Sequence, residues 1–403
     1  MFKIILAWLS DEYPSIVKKN LSLIKEFGRW DDILCLQDTK VWPDVLALIK
    51  AEFFVYKTGA KPSLLFKWLP SINASSQKSR QKAKLILNYL NISEKSYRKT
   101  LSKARKELQI VERHMCLNQW SEINYQHVPS KASLKYKEAF KRHDKNRYSK
   151  FIEDVKAGKS KINASITYPY EIVEKALFYS DNSETLDAIW DSLPNYIKDN
   201  PHNGIVVADV SNSMMTGTPK GRPLAISISL ALYLAERMKG PFSNHFITFS
   251  EKPVLQKIAG KNIREKIRNL AKADWGMSTN LEAVFDLILD TAIKNHATND
   301  DMPQTIYIVS DMEFDISTQN TTTNYELIKS KYNQHGYHKP AIVFWNANAR
   351  NTQFPITQLD DTTCLVSGCS PIILENLLSG KRISPEQIML ETINKDRYNS
   401  ICI

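Results

Sequence analysis

Beyond residue 203 the chain changes texture, and that change limits the possible fold more than any other feature. The runs GIVVADV, HFITFS, TIYIVSD, AIVFWN and TTCLVSG are short, apolar and rich in β-branched and aromatic residues, so each predicts a buried strand. Between them lie RPLAISISLALYLAERM, NIREKIRNLAKA, NLEAVFDLILDTAIKN and NYELIKSKYNQHG, whose apolar residues recur at helical steps. Strand and helix in alternation predict a mostly parallel sheet covered on both faces, a Rossmann-like α/β domain over 201–380. Residues 381–403 read as one further helix and a tail.

The first 200 residues read as helices. YPSIVKKNLSLIKEFGRW, QKAKLILNYL, EKSYRKTLSKARKELQIVERHM and KASLKYKEAFKRHDKNRYSKFIEDVKAG place apolar residues three and four apart, with breaks at Gly28, Pro43, Pro62, Pro70, Pro129 and Gly158. Paired helices with short breaks predict an all-α domain over 1–200, stacked as a HEAT-like helical-repeat array without a strict sequence period. A length of 403 residues suits such a multi-domain chain. The opening MFKIILAWLSDEYP runs straight into Asp11 and Glu12 with no small-residue cleavage site, so it reads as a helix start rather than a signal peptide. No stretch approaches the roughly 18 apolar residues that cross a bilayer, which excludes a membrane span. Five cysteines, none in a CxxC pair, imply reduced thiols, a cytoplasmic location and no zinc site.

Charge is distributed unevenly. The net charge is +11, yet residues 1–200 hold 34 of the 54 basic and 23 of the 43 acidic side chains, which leaves the remainder balanced. Within 61–161 there are 24 basic against 8 acidic residues, a field suited to a polyanion such as nucleic acid. The basic candidates are Lys78, Arg80, Lys82 and Lys84; Arg98, Lys99, Lys103, Arg105 and Lys106; and Lys135, Lys137, Lys141, Arg142, Lys145 and Arg147. Arg98 with Arg105, and Lys99 with Lys103 and Lys106, fall at spacings that predict one basic stripe. Taken singly, each lysine is better read as a solvated surface residue. Tyr97, Tyr136 and Tyr148 are interleaved and suit either base stacking or, more simply, core packing. His114, His127 and His143 have no ligand-spaced partners and read as loop or cap residues. In GRWDD, an N-cap role for Asp31 or Asp32 fits better than an acid pair. Trp30, Trp42, Trp68 and Trp120 read as packing between repeats.

In doubly wound sheets ligands bind outside the carboxyl ends of the strands. Asp209, Ser211 and Ser213 alternate at the end of the first predicted strand, Ser278 and Thr279 precede a helix in WGMSTNLEAVF, and Asp311 ends IYIVSD. Two carboxylates with hydroxyls, and no His or Cys, form a hard oxygen site suited to Mg²⁺ or Mn²⁺. Helix capping explains Ser213 or Thr279 individually but not the set. GTPKGRP lacks the spacing of a phosphate-binding loop.

The segment DVSNSM fits the DxSxS signature of the von Willebrand factor A domain, whose metal-ion-dependent adhesion site it resembles. That resemblance makes Asp209, Ser211, Ser213, Thr279 and Asp311 the implied metal ligands. EFGRWDDIL, SLLFKWLPS, YRKTLSKARKELQIVERHM, Trp120, VPSKASLKYKEAFKRHD and KINASITYPYEIV resemble the TROVE module of Ro autoantigen-like proteins. The likeness is nearest to an uncharacterised TROVE-like family that also ends in a von Willebrand A domain. WGMSTNLEAVFDLIL, VSDMEFD and IVFWN are similar to the same family, so the resemblance covers about 20–370. TROVE modules are helical rings that bind small structured or misfolded RNA, which implies a non-enzymatic, ribonucleoprotein-forming RNA binder here. The family carries more helical sequence ahead of GRWDD, which directs the expectation to the outer surface rather than a closed ring. The metal site would hold a protein or other anionic ligand. The alternative is an adaptor that recruits an acidic protein through the metal. A metal-dependent nuclease would need a general base, and Glu313 and Asp315 read as loop residues.

Overall fold

In the computed structural model the helices start and stop where local chemistry directs. The residues described are 1–164, 167–179, 184–197, 203–215, 223–248, 252–271, 281–311, 321–348, 363–369, 373 and 385–402. The first eight helices are α1 (Phe2–Glu12), α2 (Pro14–Asn20), α3 (Ile24–Phe27), α4 (Trp42–Lys57), α5 (Leu65–Trp68), α6 (Gln77–Leu90), α7 (Glu94–Glu107) and α8 (Val111–Cys116). Pro14 and Pro43 sit in the first turns of α2 and α4, where a missing N–H costs nothing. Ser76 and Ser93 cap α6 and α7 by accepting from the amides of Ser79 and Ser96. EKSYRKTLSKARKELQIVERHM, expected as one helix, is two. Gln109 takes a left-handed φ of 49°, and the Gln109 and Ile110 amides turn back to Lys106 O and Arg105 O, a Schellman closure that ends α7.

Two compact units result: Met1–Asn124 together with Met389–Ile403, and Tyr125–Ile388. In the first, Ile33, Leu36, Val45, Ile49, Phe53, Phe66, Ala83, Ile86, Tyr97 and Leu101 form the core. Phe53 stacks on Tyr97 with ring centres 6.0 Å apart and tilts against Phe66 at 5.0 Å. The last segment joins this unit through Cys402 N–H, which donates to Asn20 Oδ1 at 2.8 Å, and through Tyr398 against Phe27 at 4.9 Å. The helices of this unit run from 4 to 16 residues and are interleaved with 3₁₀ turns; α6 and α7, each of 14 residues, are an adjacent pair of equal length.

The second unit opens with α9 (Ser130–His143), α10 (Lys145–Lys156), α11 (Pro169–Phe178) and α12 (Glu184–Asp191). Here too a single expected helix is broken. Asp144 leaves helical geometry at φ −146°, and its carboxylate accepts from Tyr125 Oη at 2.9 Å and Arg147 Nη1 at 2.7 Å. There follow β1 (Gly204–Ala208), α13 (Pro223–Arg237), β2 (His245–Thr248), β3 (Leu255–Lys257), α14 (Ile263–Ala271), α15 (Leu281–Lys294), β4 (Thr305–Ser310), α16 (Thr321–Gln334), β5 (Ala341–Asn346) and β6 (Thr363–Ser367), and the chain leaves this unit within α17 (Pro385–Ile393). All five predicted strands are present. β3 was not expected: it is three residues long, half-polar, and antiparallel to β2 at the sheet edge, where a short run leaves no periodic signal.

The strand order is β3-β2-β1-β4-β5-β6, with every pairing parallel except β2 with β3. The order reverses between β1 and β4, the switch point at which doubly wound sheets open a crevice. Helix α13 is buried from Pro223 to Ala235 because it lies between the sheet and α11. Tyr233 Oη donates to Pro194 O at 2.6 Å and accepts from Tyr196 N–H at 3.1 Å. Glu236 accepts from Trp190 Nε1 at 2.8 Å and Lys266 Nζ at 2.7 Å, and Asp187 accepts from the Ile263 amide at 2.8 Å. Helices α11 and α12 are therefore packed onto the sheet domain. Compactness thus divides the chain at 124/125, whereas the change of composition falls near 200.

Candidate functional site

The crevice between β1 and β4 collects the oxygen groups. β1 and β4 run parallel with Ala208 beside Val309, so Asp209 leaves β1 opposite Ser310 and Asp311 stands one residue further. The Asp209 amide donates to Val309 O at 2.9 Å, which continues the ladder and fixes the carboxylate at the mouth of the sheet. Asp209 is fully buried and Asp311 nearly so. One Asp209 oxygen accepts from the Ser211 amide at 2.9 Å, an Asx-type turn that folds the chain back over the strand end. The other accepts from Ser310 Oγ at 2.7 Å. The hydroxyls of Ser211 and Ser213 lie 2.9 Å apart.

Four of the five expected metal ligands therefore come from two adjacent strand ends; Thr279 lies outside the described residues, as do Ser278, Glu313 and Asp315. Ser310 was not anticipated, although it precedes Asp311 in a buried run and its hydroxyl faces Asp209. Burial pushes the Asp209 carboxyl up from its ordinary range and the neighbouring Asp311 charge adds to this, against hydrogen bonds from Ser211 and Ser310 that hold it down. Two buried acids at adjacent strand ends make a pocket of negative potential. Among the described residues no group of three or more His, Cys, Asp or Glu gathers. The donor set is instead two carboxylates with hydroxyls, all oxygen, which fits a hard divalent cation.

The basic candidates separate into surface and structural groups. On α7, Tyr97, Leu101 and Ala104 face the core, while Arg98, Lys99, Lys103 and Lys106 are exposed. Lys95, not singled out from sequence, extends the same face. Arg105 leaves the expected stripe. Its guanidinium turns inward and donates to Phe66 O at 2.9 Å, Leu69 O at 2.7 Å and Ser71 Oγ at 3.0 Å. On α6, Lys78 and Lys84 are exposed. Arg80 holds the carbonyls of Ala74 and Ser75 at 2.7 and 2.8 Å, and half-buried Lys82 donates to Leu34 O. In the second unit Lys135, Arg142, Lys145 and Arg147 are exposed and Lys141 is half-buried. Lys137 is buried, only 4% exposed, and desolvation pulls its ammonium down to about 8. The stretches 78–106 and 135–147 belong to different compact units.

The aromatic and acidic candidates are mostly structural. Tyr97 is in the core with its hydroxyl on Pro70 O at 3.0 Å, and Tyr148 is buried with its hydroxyl 3.0 Å from Thr185 Oγ1. Tyr136 is half-buried, with Lys135 Nζ 4.9 Å from its ring centre. Asp32 occupies the N-cap position of the 3₁₀ turn Ile33–Leu36 without a side-chain cap bond; Lys3 Nζ reaches Asp31 and Asp32 at 2.7 and 3.4 Å, and Asp32 accepts from the Arg29 amide at 2.7 Å. Of the tryptophans, Trp30 is buried but Trp68 is at the surface, with Arg29 5.6 Å from its ring centre. His114 is buried beside Glu122 at 3.6 Å, while His127 and His143 are exposed.

Two family models match the chain. Residues 60–201 match a domain of unknown function, DUF2828, and residues 203–400 match another, DUF7788. An uncharacterized protein, L728, of Acanthamoeba polyphaga mimivirus is 30% identical over 363 residues, which is 85% of this chain and 62% of the relative. The chain thus spans less than two thirds of that protein's length. Among solved structures, the Ro (RSR) protein of Deinococcus radiodurans aligns with a TM-score of 0.49 and 13% identity, over 94% of this chain and 86% of that one. Proximal thread matrix protein 1 from the mussel byssus aligns with a TM-score of 0.31 and 13% identity, over 45% of this chain and 47% of that one.

No described helix is long and apolar enough to cross a membrane. The five cysteines are free thiols, with Cys116 and Cys402 exposed.

Proposed function

We propose that this is a non-enzymatic RNA-binding protein whose α/β domain holds a partner through a divalent cation. The observation that carries the RNA reading is the exposed lysine face of α7, with further cations on α6, α9 and α10. Phosphate neutralisation by such faces supplies affinity that falls with salt. The sequence resemblance to TROVE modules supports a small structured or misfolded RNA as the ligand and a HEAT-like platform as its support.

The von Willebrand A-like part of the reading rests on Asp209, Ser211, Ser213 and Asp311 at the switch point, with Thr279 as the fifth group. Mg²⁺ or Mn²⁺ there would leave a coordination position for a carboxylate or phosphate of the partner, its charge offsetting the cost of burying an anion. Ser310 and the Ser211 amide orient Asp209 for that task.

Thermal unfolding with and without Mg²⁺ tests the metal. The wild-type chain gains stability with Mg²⁺, about 2.7 kcal/mol at a hundredfold excess over Kd, whereas Asp209→Ala gains none and retains its RNA affinity. An equal Mg²⁺ shift in both proteins would remove the metal site from the reading. RNA binding that is weak at physiological salt, and no tighter than binding of an acidic polymer, would favour the adaptor instead.

A further inference from the structure

A cavity of about 640 Å³ opens between α9, α10 and α12, within the second compact unit. Its lining is unlike the lysine face of α7. Tyr148, Ile152 and Thr185 are buried and supply an apolar floor, on which the Tyr148 and Thr185 hydroxyls already satisfy one another at 3.0 Å. Arg142 and Lys145 stand at the rim across the break at Asp144, both exposed. Ser149 and Glu153 are exposed lining residues one turn apart on α10.

The other charges of the lining have neighbours of opposite sign. Glu138 lies 3.9 Å from Lys141, and Glu184 lies 3.3 Å from Lys156. Among the described residues, the groups left to meet a ligand are thus two cations at the edge, an apolar floor, one hydroxyl and one carboxylate. A duplex offers only phosphates to such a concavity. An unpaired nucleotide offers a phosphate for the rim, a flat face for the floor, and amino or imino donors for a carboxylate.

We infer that this cavity receives a single unstacked nucleotide of an RNA strand, its phosphate held by Arg142 and Lys145 and its base edge by Ser149 and Glu153. The inference rests on the RNA-binding reading and gives it a class of ligand: RNA with an exposed single-stranded stretch. The break at Asp144 has a role in this, because it sets α9 and α10 at the corner that the cavity occupies.

The test is fluorescence anisotropy with the full chain, using a labelled 12-nucleotide single-stranded RNA and a fully paired duplex of equal length. Ser149→Trp fills the cavity from an exposed helix position, and circular dichroism melting checks that it folds. Affinity for the single strand should fall at least tenfold and affinity for the duplex should stay within twofold. The pair Arg142→Ala with Lys145→Ala should flatten the salt dependence of single-strand binding by about 1.4 in slope, the value for two phosphate contacts. Unchanged single-strand affinity in folded Ser149→Trp, while wild type binds RNA, overturns the cavity site and leaves the broader reading intact. Wild-type protein that prefers neither RNA over poly-glutamate overturns both. A Ser149→Trp loss shared equally by single strand, duplex and poly-glutamate would mark a general anion site and also overturn the proposal.

Discussion

At the scale of single residues, four basic side chains that sequence places among the RNA contacts, Arg80, Lys82, Arg105 and Lys137, are committed to the fold. Arg105 binds the carbonyl of Phe66 within α5 and the Leu69 carbonyl and Ser71 hydroxyl just beyond it, so its loss leaves these acceptors without donors. Arg105→Ala is expected to lower stability by about 2–4 kcal/mol in denaturant unfolding, and Arg105→Lys to recover little, since an ammonium cannot reproduce the fork. Sequence could not separate it from Arg98, seven positions earlier, because periodicity fixes a face and not how far a long side chain reaches. Lys137 makes the complementary point about pH. Its folded pKa of about 8 lies below the ordinary 10.5, so below pH 8 both states are protonated and the burial cost is constant. Between these values the unfolded chain binds more protons, and stability rises with pH. Lys137→Met should be more stable than wild type at pH 7, on the order of 1–3 kcal/mol, and should lose the rise above pH 8.

At the scale of elements, α7 is a helix with its labour divided by face. Tyr97, Leu101 and Ala104 pack inward and cannot be altered without opening the core, whereas Lys99, Lys103 and Lys106 can be. Reversing these three to glutamate should preserve the melting temperature within a few degrees and weaken RNA binding. The slope of log affinity against log salt should drop by about 2 for a single strand, measured by titration between 50 and 200 mM salt. Melting that is preserved with RNA binding unchanged would free this face of any role. The helices themselves were legible in sequence wherever apolar spacing was regular, and so were the five longer strands. Their ends were not. The Gln109 and Asp144 breaks depend on a left-handed glutamine and on a carboxylate that answers Tyr125 and Arg147, neither of which leaves a mark in a hydrophobic pattern. The metal candidates were legible for the opposite reason: Asp209, Ser211 and Ser213 are local in sequence, and a parallel sheet brings Asp311 to them by topology alone.

At the scale of the whole molecule, composition and compactness divide the chain differently. Arg237 lies 4.1 Å from the Tyr233 ring centre and 5.7 Å from that of Trp190, and Glu236 joins Trp190 to Lys266, so α12 behaves as an outer layer of the sheet domain. A boundary drawn where strands begin cannot register such packing, because α12 is a helix like those before it and its partners are set by tertiary contacts. The other end of the chain carries the matching prediction. Removing residues 389–403 takes away the Phe27–Tyr398 contact and the bonds between Asn20 and Cys402. Hydrogen exchange should then quicken in α2 and α3 while β1 and β4 keep their protection, and equal loss in both would show that the two units do not unfold separately.

That arrangement also orders events during synthesis. The second unit is continuous in sequence, whereas the first is finished only by residues that follow the second. At ordinary translation speeds an incomplete first unit must wait on the order of tens of seconds for its final segment. Its basic helices would therefore meet cellular polyanions while still unfinished, and the first unit is sealed only after the second has been made.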